Sequence, residues 1–262
     1  MSADDKDNNQ GYVKASANNQ VTTIEFYHPL GNSLPSKLLE DLCTEINVAA
    51  QDENAKVIIL RSAGDKAFCG GASFNELIAI KDEMEGLHFF SGFANVINAM
   101  RKCPKLIIAR VHGRCVGGGV GLAAAADYAI ATDNAEIKLS ELAIGIGPFV
   151  VGPAIERKIG VSAFSQLAID AGMWRNADWA KRKGLFAETH ASVESMEESI
   201  ARLSNSLSHS SSDAMHELKK VLWAGCEHWD ELLHQRAAIS GKLILSDYSK
   251  QFIERFKQKQ NT

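Results

Sequence analysis

The stretch Leu106-Ile107-Ile108-Ala109-Arg110-Val111-His112-Gly113-Arg114-Cys115-Val116-Gly117-Gly118-Gly119-Val120-Gly121-Leu122-Ala123 constrains this chain more than any other. Its first part has the length and composition of a buried β-strand. The strand runs into a glycine cluster, which feeds a short alanine-rich helix. A helix start carries unpaired backbone N–H groups and a partial positive charge. Glycines there let the atoms of another molecule approach the bare main chain. The turn therefore suits negative charge, and a strand–glycine–helix unit of this kind belongs in an α/β fold.

The rest of the chain extends the pattern. Residues 11–16 and 21–26 read as two strands around the turn-prone Asn18-Asn19. Pro35 opens a helix whose apolar positions Leu38, Leu39, Leu42, Ile46 and Ala49 recur at helical spacing. Residues 57–60 form a buried strand, 63–72 a loop, and 85–100 a helix that stops before Pro104. Strands are expected at 128–132, 137–139 and about 185–188, with two helices between the last two. From about Ser192 onward only helices are expected, near 192–208, 213–225, 228–246 and 248–258. An α/β body over 1–191 with a helical segment over 192–262 accounts for the 262 residues.

Bulk properties exclude several functions. A formal charge of −4 argues against nucleic-acid binding by overall electrostatics. No apolar run approaches the roughly 18 residues needed to span a membrane. The five cysteines, Cys43, Cys69, Cys103, Cys115 and Cys226, are odd in number and show no CxxC spacing. That usage points to reduced thiols in a cytoplasm, without disulfides or a zinc site. The opening 20 residues are polar and acidic, with Asp4, Asp5 and Asp7, unlike a secretory or mitochondrial leader.

A second glycine turn, Ala67-Phe68-Cys69-Gly70-Gly71-Ala72-Ser73-Phe74, follows the strand at 57–60. Two such turns from neighbouring strands can direct two backbone N–H groups at one oxygen and stabilise an oxyanion. Taken singly, either turn is equally well a tight bend. A dinucleotide fingerprint fits poorly. Read from Gly117, the third glycine is replaced by Leu122; read from Gly119, the looser form with Gly121 and Ala124 begins inside the helix. Downstream, Glu141 stands at a strand end before Gly145-Ile146-Gly147-Pro148, where a solvated carboxylate is the bland alternative.

At these spacings the three features resemble the crotonase family, the enoyl-CoA hydratase/isomerase superfamily. The resemblance runs from about Val21 to Phe256 and is tightest over 66–74, 104–127 and 135–148. It implies a ββα spiral core with a C-terminal helical trimerisation segment, in a homotrimer or a dimer of trimers. It implies an acyl-CoA thioester as the partner, coenzyme A being part of the substrate rather than a cofactor, and no metal. Carried over by position, the oxyanion donors are the N–H groups of Ala72 and Gly118, and the catalytic glutamate is Glu141. Substrate contacts fall on Ala67, Phe68, Gly70, Gly117, Pro148 and Phe149. Asp127 matches an acidic residue read as structural.

One departure bears on the reaction. Hydratases of the family that use two carboxylates carry the first two residues after the glycine triplet, where this chain has Gly121. Double-bond isomerisation needs a single carboxylate, so it is the expected reaction. The alternatives are hydration, including that of 3-methylglutaconyl-CoA, decarboxylation in a polyketide pathway, and a non-catalytic binding protein on the same scaffold. A substitute acid for hydration is sought among Glu76, Asp82, Glu83, Glu85 and His88, and a glutamate placed at 121 is expected to raise hydration if it fits. Bulk at Phe149-Val150-Val151 is expected to narrow the acyl end. His112 is expected to make a structural hydrogen bond, the four tryptophans to pack, and Lys250, Arg255 and Lys257 to meet coenzyme A phosphates or solvent.

Overall fold

The computed structural model describes residues 11–260, with side chains as far as Arg255; the polar tip 1–10 and the Lys257 side chain lie outside the described residues. The main sheet has six strands in the order β1 (Tyr12–Asn18), β2 (Val21–Tyr27), β4 (Val57–Ser62), β7 (Leu106–Val111), β9 (Tyr128–Thr132) and β12 (Glu188–His190). Only β1 and β2 pair antiparallel, as the short Asn19-Gln20 turn requires. All six residues of β7 are buried. That fits a parallel strand covered on both faces, which shows no alternation. One face carries α1 (Ser36–Gln51) and α3 (Glu83–Lys102), after the one-turn α2 (Phe74–Leu77). The other is covered by α7 (Val193–Ser208), whose Met196 and Ile200 pack on Val57, Ile108 and Ile130.

The opening stretch is two strands, not one. β7 ends at Val111, and after His112-Gly113 the chain enters β8 (Arg114–Val116), which belongs to a second sheet. A side chain at Gly113 would run into the carbonyl oxygen of Lys66, so the sharp crossing needs glycine. The second sheet runs β11 (Arg175–Asn176), β10 (Glu136–Lys138), β8 and β5 (Ala67–Cys69). A third, two-stranded piece pairs β3 (Ser33–Leu34) with β6 (Gly71–Ala72). The loop expected over 63–72 thus contains two short strands.

A repeat emerges from this order: a strand in the main sheet, a strand in the second sheet, then a helix. β4–β5–α3 and β7–β8 with α4 (Gly118–Ala125) follow it. So do β9–β10 with α5 (Gly152–Ile169), which breaks at Gly160 where φ is 74°. This is the ββα spiral that the resemblance implied. After α6 (Ala177–Arg182) and α7 come α8 (Ser212–Leu222), α9 (Trp229–Leu243) and α10 (Asp247–Gln260), within a few residues of expectation.

The C-terminal helices pack on their own body. α9 lies along α3, and Gly86 and Gly241 meet where they cross: a Cβ on Gly86 would sit 2.7 Å from the Gly241 Cα. Leu233 and Ile244 are in the main core. On the tail, Leu218, Val221 and Leu222 of α8 and Ile239 of α9 stay exposed. Asp127 ties the segment down. Its carboxylate accepts hydrogen bonds from Ile107 N at 2.8 Å and Trp223 Nε1 at 3.0 Å, and pairs with Lys219 Nζ at 2.9 Å. Lys219 also donates to the Lys105 carbonyl at 2.7 Å, and Lys158 donates to the Asp127 carbonyl at 2.9 Å. The structural role read for Asp127 holds. Trp223 and Trp229 pack edge to face beside it.

Candidate active site

The two glycine turns meet. Gly71 has φ +84°, and a Cβ there would lie 2.7 Å from the Val116 carbonyl oxygen and 3.4 Å from the Gly118 nitrogen. No other residue type fits so close to a neighbouring backbone at positive φ. A cavity of about 320 Å³ opens at this junction, with Gly70, Gly71 and Ala72 on one wall and Gly117, Gly118 and Glu141 on another. The remaining wall is mostly hydrocarbon, including Phe90, Phe93, Ile146 and Val151.

Both residues expected to supply donors, Ala72 and Gly118, line the cavity at this junction. Gly118 opens α4, so its N–H has no acceptor within the helix. In β6 the neighbouring Ser73 N–H is spent on the Leu34 carbonyl at 3.1 Å. Successive N–H groups point to opposite edges of a strand, which turns that of Ala72 away from β3.

Glu141 sits on a 3₁₀ turn (Glu141–Ile144) rather than at the end of a strand. Gly117, at φ +50°, makes room for it: a Cβ there would come within 2.8 Å of Glu141 Oε1. Oε2 is buried and has no hydrogen-bond partner among the described residues. Burial pushes the carboxyl up from 4.5 to about 7, and the backbone N–H groups of Glu141 and Ser140 offset this only in part. Among the described residues lining the cavity, Glu141 is the only one that ionises.

Gly70, Gly117, Pro148 and Phe149 also line the cavity, as expected of substrate contacts. Ala67 and Phe68 do not reach its wall. Phe68 is fully buried and packs edge to face on Phe26 at 5.6 Å, so its side chain belongs to the core. The Ala67 carbonyl accepts from Asn32 Nδ2 at 2.8 Å.

The substitute acids are absent from the cavity too. Glu76 holds Ser36 N and Oγ at 2.9 and 2.6 Å, Asp82 caps α3 through Glu85 N, and Glu85 accepts from Lys81 N. Glu83 and His88 are exposed. Nor is there room beside Gly121: a Cβ would lie 2.6 Å from Val151 Cγ1 and 2.7 Å from its Cβ. Gly121→Glu therefore fits only if Val151 gives way, and the simple restoration expected from sequence fails on this contact.

His112 makes no side-chain hydrogen bond among the described residues; both ring nitrogens are buried and unpartnered. Burial, then Arg110 and Arg61, push its pKa down to about 4. Cys69 and Cys115 lie behind the donor turns, fully buried, with the Cys69 thiol pushed up to about 12 by burial. Both are inert as nucleophiles.

Sequence reasoning missed Ser240 of α9 and Phe252 of α10, which close the cavity from the C-terminal segment. α10 also buttresses the turn that carries Glu141, with the buried Ser249 set against Gly145. The facing glycines Gly86 and Gly241 were the available signal, because a bare pair permits so close a crossing.

The enoyl-CoA hydratase/isomerase family pattern matches residues 16–262. A Bacillus subtilis (strain 168) protein named probable enoyl-CoA hydratase is 29% identical over 148 residues, 56% of this chain and 57% of that protein. The trans-2-decenoyl-[acyl-carrier-protein] isomerase of Streptococcus mutans is 24% identical over 223 residues, 82% of this chain and 84% of that protein. The matched stretches span 57%, 69% and 35% of the full lengths of three curated relatives, the first of them the Bacillus subtilis protein named above. The crystal structure of enoyl-CoA hydratase from Bacillus halodurans superposes with a TM-score of 0.87 at 21% identity, covering 93% of this chain and 99% of that one. At that identity the likeness is one of fold. Among the described residues no helix is long and apolar enough to cross a membrane.

Proposed function

The chain belongs to the enoyl-CoA hydratase/isomerase family, and from that premise we propose that it moves the double bond of an enoyl-CoA thioester from the 3,4 to the 2,3 position. The observation that carries this reading is the single ionisable group, Glu141, in a mostly apolar cavity whose other polar side chains are the hydroxyl-bearing Ser140 and Ser240. The thioester oxygen sits between the N–H groups of Ala72 and Gly118. The Glu141 carboxylate removes a proton from C2, and the electron pair delocalises onto that oxygen as a dienolate, which the two donors stabilise. Protonated Glu141 then returns the proton to C4, and the C2–C3 double bond remains. A carboxyl with a pKa near 7 suits both halves of the transfer at neutral pH.

Hydration asks for a second group to hold water. The Val151 side chain fills the space in front of Gly121, which favours transfer between carbons. The Streptococcus mutans relative is named as an isomerase, in line with this reaction class. The exposed Leu218, Val221 and Leu222 of α8 are the proposed contact between copies in a trimer.

The test supplies 3-enoyl-CoA and 2-enoyl-CoA of equal length in separate assays in heavy water. The expected result is conversion of the 3-enoyl substrate to the 2-enoyl product, with deuterium entering at C4, and slow or no addition of water to the 2-enoyl substrate. Efficient hydration without isomerisation overturns the proposal. Loss of neither substrate points to a binding protein.

A further inference from the structure

Phe149 stands between two cavities. With Pro148 it lines the cavity of about 320 Å³ that holds Glu141. The same two residues line a second cavity of about 240 Å³, whose wall continues over Gly152, Phe164 and Ala168. The Phe149 ring is folded back over Gly147, where a Cβ would lie 2.6 Å from Cζ, and Phe149 N donates to the Gly147 carbonyl at 2.7 Å. Gly152 in turn leaves the space that the Phe164 ring takes, at 2.9 Å from a Cβ placed there. Charged side chains in the second cavity are confined to Glu156 and Arg236.

We propose that Phe149 is a gate that sets the acyl length: when its ring turns aside, the tail of a long acyl chain passes from the Glu141 cavity into the second one. The proposal rests on the acyl-thioester reading above and commits to that tail as the occupant. The shared wall argues for it, since the second cavity adjoins the first at Pro148 and Phe149 and carries on its apolar lining. A half-buried aromatic ring moves between staggered rotamers without disturbing the backbone. Short chains end against the ring. Longer ones gain about fourfold in affinity for each further methylene buried beyond it.

Binding of saturated straight-chain acyl-CoAs, from four to fourteen carbons, tests this by calorimetry on the full chain. Saturated thioesters have no double bond to move, so the readout is independent of turnover. Phe149→Ala is expected to raise the affinity ratio of dodecanoyl- to hexanoyl-CoA at least about tenfold, and Phe149→Leu to raise it less. Ala168→Trp, which fills the second cavity, is expected to lower the same ratio about tenfold. An unchanged ratio in all three variants, each shown folded by circular dichroism, overturns the gate. So does an Ala168→Trp variant that alters only the mass seen by light scattering, because the groove then belongs to a second copy. A chain-length response without any double-bond shift sinks the isomerase reading and leaves the gate standing. Failure to bind any acyl-CoA removes both.

Discussion

At the junction of sheet and C-terminal helices, Asp127 has a donor for each oxygen: Ile107 N and Lys219 Nζ at Oδ2, Trp223 Nε1 at Oδ1. In the cavity, Glu141 keeps Oε2 buried with no partner among the described residues. The two carboxylates share burial and differ in company. A satisfied buried charge fixes geometry and has nothing left to offer a ligand. An unsatisfied one costs stability, and such groups cluster at functional sites. The contrast separates a carboxylate that holds the fold from one left free for the proposed proton transfer.

The largest effect is expected at the satisfied site. Asp127→Ala leaves Lys219 buried without its counter-charge and should cost about 3–5 kcal/mol, a fall in Tm of roughly 10 °C for a chain of this size. If the remaining folded protein turns over enoyl-CoA at an undiminished rate, Asp127 is structural. A normal Tm with lost turnover would reverse the assignment.

Glu141→Gln should show the opposite pattern: turnover down by at least about 10²-fold with acyl-CoA binding retained. Its Tm carries a pH signature. Because folding raises the Glu141 pKa from 4.5 to about 7, the stability tied to its protonation is complete below the lower value and is lost as pH rises through about 7. Above that, wild type buries a charge and the glutamine variant does not. Thermal scans should therefore put the variant roughly 5–10 °C above wild type at pH 8, with the gap closing below pH 5. A gap independent of pH would mean that the carboxylate is not desolvated.

Much of this was legible in the residues. Helices were found where apolar spacing, an opening proline or a stop signal was strong, as after Pro35, before Pro104 and over the C-terminal run. The glycine turns announced the junction at which the cavity opens, and Asp127 was read rightly as structural. The misses share a physical cause: they depend on what touches what across the chain. The short strands β5 and β6 are set by pairing with β8 and β3, which no local pattern encodes. The β7–β8 run read as one strand because the two-residue crossing His112-Gly113 is too short to register as a turn. Phe68 shares a glycine-turn motif with Gly70 but points into the core. Ser240 and Phe252 of the helical tail reach the cavity through packing across the chain, which no local pattern shows. Gly121 pointed to a missing acid, and only the contact with Val151 showed that the gap is filled.

The most direct measurement is the pH dependence of kcat/KM for a 3-enoyl-CoA. An ionised Glu141 must accept the first proton, so the rate constant should rise tenfold per pH unit below about 7 and level off above it, in step with the raised pKa of the buried carboxyl. The acid limb should be absent from the residual activity of Glu141→Gln. A limb centred near 4.5, or a flat profile from pH 5 to 8, would contradict the claim that withheld partners poise this carboxylate for proton transfer.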